Sequence, residues 1–157
     1  MGSGNGITIG TSADTFGPDE ACTRAQMATF LCRMAKGEAK STEMTFVDVS
    51  LSAYYAQAVQ WAVENGITNG MSATEFAPNG TVTRGQTVTF LWRAERGNVA
   101  EGMNAFTDVE ADAYYYSAVQ WAVENGITNG MSATTFAPAN GCTRGQIVTF
   151  LYRTFAQ

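Results

Sequence analysis

The chain has no histidine, which removes the commonest general base and metal ligand and with it any catalytic triad built on an imidazole. Its cysteines are Cys22, Cys32 and Cys142. An odd number with no CxxC spacing fits neither a zinc site nor a thioredoxin-type redox motif. Lysine and arginine together number nine against fourteen acidic residues, a net charge of -5. The broad basic footprint needed to neutralise a phosphate backbone is therefore missing, and nucleic acid is excluded as a partner. No run approaches the ~20 apolar residues of a membrane span, so no membrane insertion is expected. Met1-Gly2-Ser3-Gly4 reads as an expression leader, not a signal peptide, and leaves the compartment open. Nothing in the composition calls for a cofactor or a metal.

What is present is an apolar content of 45% over 157 residues, enough for one compact domain with a core. The strongest pattern is Thr83-Arg84-Gly85-Gln86, which recurs as Thr23-Arg24-Ala25-Gln26 and Thr143-Arg144-Gly145-Gln146 at a spacing of 60. Each copy has the form of a capping box, with Thr23, Thr83 and Thr143 at N-cap and Gln26, Gln86 and Gln146 reaching back to them. The arginines are not explained by capping. A cation at a first helical position opposes the helix dipole by roughly 0.3 to 1 kcal/mol when exposed. Two readings account for Arg24, Arg84 and Arg144: an anion pocket made with free helix N–H groups, or pairing with an internal carboxylate or carbonyl that ties the copies together. Arg33, Arg93 and Arg153 follow nine residues later, where a cation complements the last turn of a helix.

The period of 60 is already running at Asn5-Gly6-Ile7-Thr8, which matches Asn65-Gly66-Ile67-Thr68 and Asn125-Gly126-Ile127-Thr128. The first copy thus starts in mid-unit. The partition is a leader at 1–4, a partial repeat at 5–36 and full repeats at 44–97 and 104–157, packed as one domain because a two-helix unit cannot bury its own apolar face. Each full unit opens with Phe46-Val47-Asp48-Val49 or Phe106-Thr107-Asp108-Val109, read as a short extended anchor with Asp as a turn former. Tyr55, Ala58, Val59, Ala62 and Val63, and their counterparts from Tyr115 to Val123, form the stripe of a first helix, which Asn-Gly stops. Tyr54 and Trp61, like Tyr114 and Trp121, are seven apart, so they read as a groove-lining aromatic pair or as core. A loop from Gly70 to Phe76 should plug phenylalanine into the core, and a second helix, from Arg84 to about Glu95, should lie centrally because its apolar residues cover more than one face. Cys22 and Cys142 occupy one repeated position, held by Val82 in the middle copy. A small buried apolar residue is the plain reading, and a bridge between the two thiols the other.

These landmarks together resemble the S-layer homology (SLH) repeat of bacterial cell-surface proteins: Phe-x-Asp-Val, an aromatic helix ending Asn-Gly-Ile, a Gly-to-Phe loop, Pro, and Thr-Arg-x-Gln. The resemblance implies a mainly α fold, three two-helix units with loop connectors around a pseudo-threefold axis, the first unit truncated at its N-terminus. It further implies an extracellular cell-surface or cell-wall location and binding of secondary cell-wall polysaccharide, often pyruvylated, in grooves between repeats. The ligand-binding positions it points to are Arg24, Arg84, Arg144, Asp48, Asp108, Tyr54 and Tyr114, with Trp61 and Trp121 as stacking candidates. This chain has Gln where the family commonly has Glu in the capping box, Tyr where Trp is commoner at 54 and 114, and Met71-Ser72-Ala73-Thr74 and Met131-Ser132-Ala133-Thr134 in place of a Tyr-Pro-Asp-Gly turn.

Two functions follow. One is a non-catalytic wall anchor that binds anionic glycan; the other is a protein-interaction or assembly module of a surface or secreted protein that binds no glycan. An enzyme is disfavoured, because Glu64 and Asp48 form no paired constellation. The truncated first unit adds a structural expectation: the helix carrying Met27, Phe30 and Leu31 should lack one cover, and the bare face should favour homo-oligomers.

Overall fold

A computed structural model of the chain describes residues 20–40, 43–98 and 106–155. The leader and the opening of the first repeat, through residue 19, lie outside the described residues. Among the described residues five helices follow one another: α1 (Arg24–Ala35), α2 (Ala56–Glu64), α3 (Arg84–Ala94), α4 (Tyr116–Glu124) and α5 (Arg144–Phe155). The fold is mainly α, with α1, α3 and α5 as the second helix of each repeat and α2 and α4 as the first. No described helix is long and apolar enough to cross a membrane.

The capping boxes form. Thr23 Oγ1 accepts from Gln26 N at 3.1 Å while Gln26 Oε1 accepts from Thr23 N at 2.9 Å, and the Thr83–Gln86 and Thr143–Gln146 pairs do the same. At the other end of the first helices, Gly66 and Gly126 take φ of 71° and 73°, the left-handed stop that glycine adopts without a steric penalty. The Phe46–Val49 opening turns at Asp48, as the turn-forming aspartate suggests, and does not form the extended segment expected from its alternation. Val47 N donates to Thr74 O and Val49 N turns back to Phe46 O, because Asp48 is recruited to the following loop.

Three repeat-equivalent residues hold the copies together at the centre. Cys22 N donates to Cys142 O, Cys142 N to Val82 O and Val82 N to Cys22 O, at 2.8 to 2.9 Å. The ring is closed and cyclic, and the bridges Ala21 to Thr143, Thr23 to Thr81 and Thr83 to Gly141 repeat the same rotation of partners. Both ring thiols are free. Around them Met27, Phe30, Leu31, Phe76, Leu91, Phe136, Ile147 and Leu151 are fully buried, so the loop phenylalanines do plug the core.

The expected gap is elsewhere than predicted. Met27, Phe30 and Leu31 are each 0% exposed, since α1 packs on α2, a helix of the next repeat, as well as on α5. By the same rotation α3 packs on α4. Each second helix is thus covered by the first helix of the copy that follows it, and α5 is the one with no such helix against it among the described residues. Sequence order suggested that a repeat covers itself; the cyclic packing shifts every cover by one copy.

Candidate functional site

The three arginines sit at the starts of α1, α3 and α5 and are 4 to 5% exposed. The free N–H groups expected there are taken. Arg24 N donates to Gly80 O and Ala25 N to Pro78 O, while Arg84 N and Gly85 N donate to Asn140 O and Pro138 O and Arg144 N to Glu20 O. The helix start is therefore a seam between copies, not an open anion nest. Arg24 Nε donates to Phe76 O at 2.8 Å and Arg84 Nε to Phe136 O at 2.7 Å, which realises the tying role. Each guanidinium also lies over a phenylalanine ring, Phe76 and Phe136 at 4.6 Å, an attraction strengthened by desolvation. Burial pulls the pKa of Arg24 and Arg84 below the ordinary value, and Asp48 and Asp108 respectively oppose that shift. The bond to the loop carbonyl uses one of five N–H donors. Among the described residues the terminal nitrogens of Arg24 and Arg84 make no hydrogen bond.

The loop each arginine grips is held from its other side by aspartate. Asp48 Oδ1 and Oδ2 accept from Phe76 N and Ala77 N at 2.9 and 2.8 Å, and Asp108 does so from Phe136 N and Ala137 N. Ala77 and Ala137 have φ of 60° and 61°, a left-handed conformation that costs an L-residue about 1 to 2 kcal/mol. The charge-assisted pair of bonds offsets that cost, and it commits both carboxylate oxygens to the backbone.

Among the described residues two cavities open beside Arg24 and Arg84. The first, of about 280 Å³, is lined by Arg24 of the first repeat, Asn69, Met71 and Gln86 of the second and Tyr114 of the third. The second, of about 740 Å³, sets Arg84 beside Asn129, Met131, Gln146 and Arg153. No tyrosine closes it. Each cavity combines an arginine from one copy with a loop and second helix from the next; the first adds a tyrosine from the copy after that. Tyr54 lies within electrostatic reach of Arg144 and Arg33, the same juxtaposition in a third place. The first repeat's counterpart of the Gly70–Phe76 loop, before residue 20, lies outside the described residues.

The structure thus brings Arg24 to Tyr114, Arg84 into the second cavity and Arg144 near Tyr54. It lines neither cavity with Asp48, Asp108, Trp61 or Trp121. Tyr54 and Trp61 do not share a helix face, because α2 begins only at Ala56. Tyr54 is left exposed while Trp61 is buried on Gly37, where an added Cβ would overlap the indole. Trp121 packs likewise on Gly97. Burial raises the pKa of both Tyr54 and Tyr114.

Several cavity residues escaped the sequence reading. Arg93, read as a helix-end cation, faces the first cavity and donates Nη1 to Ile67 O at 3.1 Å; Arg153 mirrors it with Ile127 O in the second. Their recurrence at a fixed nine residues after the motif arginine was the available signal. Met71 and Met131 stand at the mouths, 59% and 55% exposed. Among the described residues no group of three or more His, Cys, Asp or Glu is placed to hold a metal.

The S-layer homology domain family matches residues 3–28, 45–88 and 105–148. The chain is similar to a surface-layer 125 kDa protein of Lysinibacillus sphaericus, 40% identical over 67% of this chain and 9% of that protein. It is 33% identical to an endoglucanase of Bacillus sp. (strain KSM-635), over 89% of this chain and 15% of the enzyme. It is 23% identical to a cellulosome-anchoring protein of Acetivibrio thermocellus, over 88% of this chain and 33% of that protein. In each case the chain spans a minor part of the relative's length.

Proposed function

Because the chain belongs to the S-layer homology domain family, and so to the cell-surface proteins of bacteria, we propose that its grooves bind anionic cell-wall polysaccharide and anchor the protein that carries them. The observation that supports this most is at the first cavity. A buried guanidinium, fixed through Nε, has its terminal nitrogens unbonded beside a cavity that also holds Asn69, Gln86 and Tyr114. A carboxylate such as a pyruvyl ketal matches a planar pair of N–H donors, amide side chains suit sugar hydroxyls, and an exposed tyrosine ring suits the apolar face of a pyranose. Arg93 adds a second cation to the wall. The second cavity repeats the arginine and amide part of the arrangement, with Arg84, Asn129 and Gln146 but no tyrosine, and two grooves on one polymer raise avidity without new contacts. The reading is non-catalytic. The endoglucanase matches this chain over 15% of its length, as an enzyme carrying such a module would.

One observation favours a second reading. Met71 and Met131 place adaptable apolar side chains at the groove mouths, a chemistry suited to protein surfaces, so an assembly module is the alternative. Calorimetric titration with wall polysaccharide, before and after removal of its pyruvyl groups, separates the two. Tyr114→Ala is the cleaner variant, since Tyr114 is 58% exposed, whereas Arg24 also ties the copies together; Arg24→Lys keeps the charge and loses the planar fork. Binding that depends on the acid group and weakens in both variants supports the anchor. Absence of heat with any wall glycan, from a protein with an unchanged helical spectrum, moves the assignment to assembly.

A further inference from the structure

Among the described residues the exposed methionines are Met71 and Met131, one at the mouth of each cavity; Met27 is fully buried and Met34 and Met44 are half-buried. The surroundings of Met71 are fixed. Its backbone N–H donates to Glu75 O at 2.8 Å, which pins the loop at that point. Its Sδ accepts from Gln86 Nε2 at 3.8 Å. The capping box decides that contact, because Gln86 Oε1 is committed to Thr83 N and the amide NH2 must turn outward, toward the thioether. Arg24, whose terminal nitrogens are unbonded, and Arg93 line the same cavity. An amide and two guanidinium groups thus surround a sulfur that is only a weak acceptor.

We propose that Met71 is an oxidative modification site that gates the first groove: conversion of its thioether to the sulfoxide supplies an oxygen that Gln86 Nε2 and Arg24 capture, and the captured side chain closes the mouth. In the step, the sulfur lone pair attacks one oxygen of hydrogen peroxide. The S–O bond forms as the O–O bond breaks, sulfur gives up two electrons, and the second oxygen takes the proton of the first and leaves as water. The product is polar where the thioether was apolar. The 3.8 Å between amide nitrogen and sulfur leaves room for an oxygen on that sulfur to sit at the ordinary N–H···O separation of about 2.9 Å. The thiols do not compete. Cys22, Cys32 and Cys142 are buried and burial raises all three pKa values, which withholds the thiolate that a peroxide attacks. Met131 serves as an internal comparison, since it is about as exposed but makes no bond to Gln146 among the described residues and borders a wider cavity. The modification is independent of the glycan reading; only the gating of binding rests on it.

The test treats the full chain with dilute hydrogen peroxide and maps the added oxygen by peptide mass spectrometry. Met71 and Met131 should take it up at least tenfold faster than Met27. In isotope-labelled protein without glycan, the side-chain amide resonances of Gln86 should move as the Met71 sulfoxide forms. They should return once the two methionine sulfoxide reductases, one per epimer, restore the thioether. In Met71→Leu, peroxide should leave them in place. Oxidation of Met71 no faster than that of Met27, or Gln86 resonances that ignore it, overturns the proposal. Titration with wall polysaccharide then reads the gate, each protein being compared with itself before and after peroxide. Affinity should fall at least threefold on oxidation, recover on reduction, and hold constant in Met71→Leu. An affinity indifferent to the oxidation of Met71 rejects the gate. No binding even by the reduced protein refutes the glycan reading instead, while the Gln86 resonances still decide the site.

Discussion

The central ring makes a prediction about alkaline stability. Cys22 and Cys142 are 0% exposed, and burial pushes their thiols from 9.0 up to about 12 and about 11, with each other's charge adding to the shift at Cys22. The folded thiols stay protonated where the unfolded ones ionise. Stability from this source is therefore complete below pH 9 and is lost as pH rises through the folded values, because the unfolded state then binds fewer protons. Each pH unit between the two values costs about 1.4 kcal/mol per thiol, so going from pH 8 to pH 10 should cost about 2 to 3 kcal/mol for the pair. The perturbation is Cys22→Val with Cys142→Val, which writes into both positions the residue that Val82 already places there at 0% exposure. Urea unfolding at pH 8, 9 and 10, with a thiol reductant and constant ionic strength, gives the two stability curves. Their difference cancels every other titrating group. The wild type should lose about 2 to 3 kcal/mol more than the valine variant over that range. Parallel curves would mean that the thiols are hydrated in the folded state, and the ring would not be the sealed centre described above.

Two further outcomes follow from the loops. Asp48→Ala leaves Phe76 N and Ala77 N without their acceptors and should destabilise by about 2 kcal/mol in urea titration, with Asp108→Ala matching it; a loss under about 0.5 kcal/mol would show that water replaces the carboxylate. Gly70→Ala puts a Cβ at φ 85° into the Phe46 ring, so strain and overpacking should together cost about 2 to 4 kcal/mol. A neutral result there would mean that the Phe46 ring swings aside without loss.

Much of this protein was determined by sequence alone, because the signals are local. A threonine three residues before a glutamine specifies a helix start through bonds made within one turn, and all three boxes formed. Asn-Gly after an apolar stripe specifies a helix end, since glycine alone takes the left-handed turn without cost, and the family follows from the order of such landmarks. The partners of each copy were not local. Which carbonyl Arg24 Nε grips, and whether α1 is covered by its own repeat or by α2 of the next, depends on the cyclic packing, in which Arg24 and Phe76 stand 52 residues apart. A repeated sequence is silent on that choice, because a helix with the same apolar stripe is offered by every copy. Tertiary structure decided it through the ring at Cys22, Val82 and Cys142, whose backbone bonds rotate each cover by one copy. The same rotation carried Tyr114 to Arg24 and buried Trp61 on Gly37.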